Sequence, residues 1–217
     1  MSALAVVTGA GGGLGKAVCE ALSAQGIAII ALMRSRDKGS PVPCDQTVIA
    51  DLAETCDWQA LLGPKLRQFE FSHLWLFDIA ATLPDAGMRS DSFAQAFDRA
   101  MRVNVEAPIA IARVLAAASA TCAAPFEIVH VSSGAAHRPI ARWGAYCASK
   151  AAAAMAWDVL ALEEEFVTLH KVQPGVIDTA MQAALRARGD PAAAPRALLR
   201  EPAAVAADIL AQCGIAP

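Results

Sequence analysis

The feature that most narrows the possible folds lies near the N-terminus. A short apolar run, Ala3–Val7, passes into Thr8-Gly9-Ala10-Gly11-Gly12-Gly13-Leu14-Gly15, and a helical pattern begins at once. Glycine tolerates positive φ and lets a backbone come closer than any Cβ would allow. A helix starting at such a turn aims free N–H groups and the positive end of its dipole at one spot, which suits a pyrophosphate. Glycines alone could be a flexible loop. Between a strand and a helix they read as a dinucleotide-binding turn, with Thr8, Gly9, Gly11, Gly12, Gly13, Leu14 and Gly15 as its contact residues.

The strand–helix theme continues along the chain. Apolar or β-branched runs at Ala3–Thr8, Ile27–Met33, Thr47–Ala50, Leu74–Ala80, Phe126–Ser132 and Val167–Gln173 alternate with helical segments. Those segments are Leu14–Ala24, Trp58–Phe69, Ser92–Met101, Val105–Ala120 and Ser149–Glu165. Such alternation predicts an α/β fold of Rossmann type, a doubly wound parallel sheet with helices on both faces. The chain has 217 residues, 56% of them hydrophobic, and shows no repeat or linker, so residues 1–217 are expected to form one domain. The Pro- and Arg-rich stretch Arg186–Pro202 is either a plain connector or a flap over a site.

The second strand ends in Met33-Arg34-Ser35-Arg36, where the adenosine ribose is read in such folds. An acid there would accept from a free 2′-hydroxyl. Arginine offers a charged planar fork to a 2′-phosphate, which points to NADP(H), with Arg34 as the contact. Asp37 follows about a turn too late to reverse that reading. Asp51-Leu52 closes the third strand. The Asp51 carboxylate either accepts from the adenine amino group or caps the next helix.

Catalysis is suggested by the chain's lone tyrosine, Tyr146, in Tyr146-Cys147-Ala148-Ser149-Lys150 at the start of an alanine-rich helix. Positions i and i+4 share a helix face, so phenol and ammonium can enter one pocket. A phenol near pKa 10 is a poor proton carrier at neutral pH, and a fixed ammonium draws that value down. Thirteen residues earlier, Ser133 closes the strand run ending in Val131-Ser132 and can donate to a carbonyl oxygen gaining negative charge. Asn104 lies within a helical stretch, where a buried asparagine must find partners, and holding a water in a proton path is one such task.

Composition excludes other classes. The formal net charge is −3, without the basic footprint of a nucleic-acid binder, and the longest like-charge block is Glu163-Glu164-Glu165. Six scattered cysteines show no metal-ligand spacing, so no metal is expected. No apolar stretch approaches a membrane span, no signal peptide is evident, and a reducing cytoplasm is expected.

With the glycine turn, Asn104, Ser133, Tyr146 and Lys150 in this order, the chain resembles the short-chain dehydrogenase/reductase family over nearly its whole length. Within it, Trp143-Gly144-Ala145-Tyr146-Cys147, Leu160–Glu164 and Asp178–Met181 are most similar to sepiapterin reductase and the benzil reductases. The resemblance implies a tyrosine acid/base, a lysine that also binds the nicotinamide ribose, a serine that steadies the substrate carbonyl, and an asparagine that orders a water. It further implies that Pro174, Gly175, Val176, Ile177 and Thr179 hold the nicotinamide amide, and that Ala80 and Ala81 lie near the adenosine. The family's Asn-Asn-Ala-Gly reads Asp78-Ile79-Ala80-Ala81 here, and the usual final strand is expected to be absent.

The expected activity is therefore NADPH-dependent reduction of a small ketone or vicinal dicarbonyl. The alternatives are an idle dinucleotide-binding sensor and an NAD-dependent alcohol dehydrogenase. His137, Trp143 and Met181 are candidates to line an apolar substrate pocket with little means of holding an anion; the alternatives are a solvent-facing loop position for His137 and a place over the core edge for Trp143. Glu201 either anchors a pterin or merely opens the last helix. Sugar, fatty acyl and steroid substrates are disfavoured. A homodimer is expected through the small-residue stretches Val105–Ala120 and Ala151–Phe166, with Met155 and Trp157 among their residues; the alternative is a helix layer buried within one chain.

Overall fold

The computed structural model describes residues 2–35 and 41–215; Arg36 and Asp37 lie outside the described residues. Six parallel strands form one sheet: β1 Ala3–Thr8, β2 Ala28–Met33, β3 Gln46–Ile49, β4 His73–Asp78, β5 Phe126–Val131 and β6 Val167–Val172. Their order is β3-β2-β1-β4-β5-β6. The connection reverses direction between β1 and β4, which opens a crevice at the carboxyl ends of those strands. The helices are α1 Gly13–Ala24, α2 Trp58–Leu66, α3 Phe93–Met101, α4 Ala107–Cys122, α5 Gly144–Glu163, α6 Ala180–Ala187 and α7 Pro202–Gln212.

Alternation along the inner strands sorts the core into two layers. Leu4, Val6, Leu74, Leu76 and Ile128 pack with Leu62 of α2, Ile111 and Leu115 of α4, and Trp157 of α5. Ala5, Val7, Ile29, Phe77 and Val129 pack with Val18 and Leu22 of α1 and with Val205 and Ile209 of α7. Both faces of the inner strands are covered, which is why their runs are apolar throughout. The edges differ. β3 has four residues, and β6 exposes Thr168 and Lys171. No seventh strand follows α7 among the described residues.

Three features depart from the sequence pattern. α5 starts at Gly144 rather than Ser149, so Tyr146 stands in its first turn. α3 and α4 join through one π-helical turn, Arg102–Glu106, in which Val103, Asn104 and Val105 are buried. The continuous helix Phe93–Cys122 spans 30 residues and is long and apolar enough to cross a membrane by length and composition, contrary to expectation. In this fold its Ile111, Ala112 and Leu115 are buried in the core. Trp157, which lies in a stretch expected to meet a partner, is 1% exposed and packs into the core with its ring 6.1 Å from His130.

Candidate active site

A cleft of about 1280 Å³ crosses the carboxyl ends of the central strands. It runs from Arg34 and Asp51, past the glycine turn, to Ser133, Tyr146 and Lys150, and is walled beyond them by Trp143, Met181 and Leu185.

The turn has the geometry its glycines require. Gly9 has φ +68°, and a Cβ there would lie 2.9 Å from Ala80 Cα. A Cβ on Gly15 would lie 2.1 Å from the Gly9 carbonyl oxygen. Thr8, fully buried, accepts from the amides of Ile79 and Ala80 at 3.0 and 3.1 Å and so ties the turn to the end of β4. The first turn of α1 has no side-chain cap at Gly12 and no acidic residue. Its amides are left for an outside acceptor, so this cradle fits a pyrophosphate. Gly11, Gly12, Gly13, Leu14, Ala80 and Ala81 line it, as do Pro174–Ile177 and Thr179. A Cβ on Gly13 would come within 3.3 Å of Thr179 Cγ2, which shows how closely the last loop approaches the turn.

At the adenosine end, Arg34 is exposed and Leu52 lines the floor. Asp51 accepts from the Ala53 amide at 2.9 Å and pairs with Arg99 of α3 at 3.4 Å. It does not cap α2; Asp57 does, accepting from Ala60 N at 3.0 Å. The Ala53 amide, aided by Arg99 and Arg34 and opposed by burial, holds the Asp51 carboxyl below its ordinary value. Nothing in the local sequence singles out Arg99, because it reaches Asp51 across 48 residues.

At the other end, Ser133 and Tyr146 line the cleft together, and the Ser133 hydroxyl acts on the phenol. Ser133 Oγ also accepts from Ala135 N at 3.2 Å, which fixes its hydroxyl at the start of a short 3₁₀ turn, Gly134–Ala136. Lys150 is buried and donates from Nζ to Val131 O at 2.9 Å. Burial pushes the Tyr146 phenol up, and the Ser133 hydroxyl draws it only partly back. The net direction is upward, opposite to the lowering expected from the Lys150 ammonium. Burial pulls Lys150 down too, against the field of Asp78.

Asn104 reaches this centre indirectly. Its Nδ2 donates to Thr82 O at 3.0 Å and to Ser149 Oγ at 2.9 Å, and its Oδ1 accepts from Thr82 N at 2.8 Å. Ser149 Oγ in turn donates to Tyr146 O at 2.9 Å. Both amide protons are thus spent on protein rather than on the water that the sequence reading assigns to this residue. The π turn aims the side chain at the first turns of α5, and such turns recur at functional sites.

The substrate end differs from expectation. Trp143 and Met181 line the cleft, but His137 is exposed outside it, and so is Glu201, which precedes α7 without a side-chain cap. Arg138, Arg188 and the buried Gln182 also line it. The wall is therefore less apolar than composition suggests. The Arg186–Pro202 stretch contributes Arg188 and Ala192 to that wall, and its Arg200 forms a β-bridge with Ile177.

The family model for short chain dehydrogenases matches residues 3–190. L-xylulose reductase of Mesocricetus auratus is 33% identical over 82% of this chain and 72% of its own. Benzil reductase ((S)-benzoin forming) of Bacillus subtilis (strain 168) is 28% identical over 84% and 78%. Among solved structures, a candidate NAD(P)-dependent gluconate 5-dehydrogenase from Beutenbergia cavernae, with NADP at low occupancy, superposes with a TM-score of 0.79. It is 25% identical and covers 95% of this chain and 88% of its own.

Proposed function

Because the chain belongs to the short-chain dehydrogenase family of oxidoreductases, we propose that it reduces a compact ketone or vicinal dicarbonyl with NADPH, Tyr146 donating the proton. The observation that carries this reading is the meeting of Ser133, Tyr146 and Lys150 at one end of a cleft whose other end bears Arg34. An idle dinucleotide-binding module needs the glycine turn but has no use for that trio.

Bound nicotinamide supplies the hydride, and every other task falls to the chain. Ser133 Oγ–H donates to the substrate oxygen where negative charge develops. Tyr146, kept protonated by burial, passes its proton to the same oxygen. Lys150 holds the nicotinamide ribose and stabilises the phenolate left behind. Asn104 locks α5 to the loop after β4 through Thr82 and Ser149.

Arg34, with Arg99 across Asp51, supports a 2′-phosphate at the adenosine end, and the NADP-holding neighbour agrees with it. The relatives' names also narrow the substrate. L-xylulose and benzil share a carbonyl beside an oxygen-bearing carbon. Arg138 and Arg188 in the wall favour such oxygenated substrates over fatty acyl chains or steroids, and they admit hydroxylated ketones that a wholly apolar pocket would reject. Consumption of NADPH with benzil, L-xylulose, an acetoacetyl thioester and a ketosteroid tests this. Turnover of the diketone or the ketose is expected. Preference for the thioester or the steroid, or cofactor binding with no turnover of any carbonyl, would refute it.

A further inference from the structure

Behind the catalytic lysine lies a polar pair that the reaction as described does not use. Asp78 closes β4, and its register partner on β5 is His130. On adjacent parallel strands such partners point to the same face of the sheet. His130 Nδ1 lies 2.7 Å from Asp78 Oδ2, with both side chains at or below 2% exposure. His130 Nε2 and Asp78 Oδ1 have no hydrogen-bond partner among the described residues. A protonated Nε2 would be a buried donor with nothing to receive it, which is costly. The economical arrangement puts the proton on Nδ1, donated to the carboxylate, and leaves the pair with one net negative charge.

That charge needs a counterpart, because an unpaired buried ion is strongly disfavoured. Among the described residues the other buried acid, Asp190, is already paired with Arg188. The buried cation is Lys150. Its Nζ is anchored to Val131 O, one residue beyond His130 on β5. The ring of His130 packs 6.1 Å from Trp157, two turns beyond Lys150 on α5, so the pair lies under the same helix that carries the ammonium. Tyr146, four residues earlier on the same helix, lines the same cleft and is neutral while protonated. The field of Asp78 at Lys150 opposes the effect of burial there.

We propose that Asp78, oriented by His130, is the buried counter-charge that keeps Lys150 an ammonium, which makes the two of them positioning residues for the catalytic centre. The proposal rests on the role given to Lys150 above, but its test can be read without turnover. In protein carrying ¹³C-labelled lysine, the Lys150 side-chain resonance is assigned by its loss in Lys150→Arg and titrated with pH. In Asp78→Asn, which keeps shape and a hydrogen-bond acceptor for His130, the Lys150 midpoint should fall by about one pH unit or more. In His130→Asn the carboxylate loses its orienting donor, and a smaller fall in the same direction is expected. With turnover measurable, the alkaline limit of reduction should move to lower pH in step. Circular dichroism and thermal melting identify which variants fold. An unchanged Lys150 midpoint in either folded variant overturns the proposal. Absence of turnover in the unmodified protein would instead sink the proposed activity and leave the titration to decide this point.

Discussion

Trp143 Nε1 donates to the buried carboxylate of Asp190 at 3.1 Å, and the same indole stands edge-on to Tyr146, centroids 5.7 Å apart and planes at 85°. One residue before it, Arg142 has φ +70°, a conformation that costs energy in a non-glycine residue. Asp190 also accepts from Ala192 N at 2.9 Å and Arg188 at 3.2 Å. The loop after α6 is thereby fastened to the N-terminus of the catalytic helix, and Trp143 braces the phenol.

Asp190→Ala should strand the indole N–H and leave Arg188 only its longer contact with Asp85 at 3.8 Å. Leaving such a donor unpaired costs about 1–3 kcal/mol, read as a fall in melting temperature and a rise in KM larger than any fall in kcat. Burial alone would raise the Asp190 carboxyl, but the Ala192 amide, Trp143 and Arg188 together lower it. A lowered folded value stabilises above the unfolded value of about 3.9 and is lost as pH falls through the folded one. The stability gap between wild type and Asp190→Ala should therefore be full at neutral pH and close in acid. A gap that does not change with pH would show that the carboxylate charge is not involved.

Tyr146→Phe should cost roughly 10²–10⁴-fold in reductive turnover while leaving cofactor binding intact. Burial raises the phenol, so the donor stays protonated through the neutral range. The stability that goes with that neutral phenol is present below about pH 10 and is lost as pH rises through the raised folded value. Reduction should accordingly hold steady across neutral pH and fall only in alkali. Most of the activity surviving in the purified phenylalanine variant would exclude Tyr146 as the proton donor.

Much of this arrangement can be read from local signals. The strands announce themselves as apolar runs bounded by turns, and the glycine turn, Ser133 and the Tyr146–Lys150 pair declare themselves by spacing along one strand end or helix face. What cannot be read locally depends on register. Asp78 meets His130 across 52 residues and Trp143 meets Asp190 across 47. A hint for Asp78 was available, since it is the lone ionisable residue of the apolar run Leu74–Ala80, whereas His130 shares its run with Glu127. None marked Asp190, and helical small-residue content could not reveal that Trp157 faces inward. For His137 and Glu201 the sequence left a pocket role and an exposed position both open, because closeness to Ser133 or to the last helix does not fix which way a loop side chain turns; both are exposed.

The adenosine end offers a direct test. Arg34 is exposed at the mouth of the cleft, and Arg99 is already engaged with Asp51. A charge-assisted contact to phosphate is worth about 1.5–3 kcal/mol, roughly tenfold or more. NADPH should thus surpass NADH by about that factor in kcat/KM, and Arg34→Asp should narrow or reverse the preference. Equal efficiencies in the unmodified protein would reduce Arg34 to ordinary surface charge.

The outer face of α5 leads to the last expectation. Met155, Val159 and Leu162 follow one another at helical spacing, with Phe166 just beyond the helix end, and all are exposed, Leu162 by 84% and Met155 by 64%. The inner face of the same helix is already occupied by Trp157 and Ala153 in the core. Large aliphatic groups in a row on one surface are better covered than left in water, and a second copy of the same helix across a two-fold axis would cover them with a self-complementary patch. The protein should therefore run as a homodimer in light scattering at micromolar concentration. Leu162→Glu combined with Met155→Glu places like charges across that axis and should yield folded monomers. A monomer mass for the unmodified protein would refute the dimer, and a dimer that survives both substitutions would move its interface away from α5.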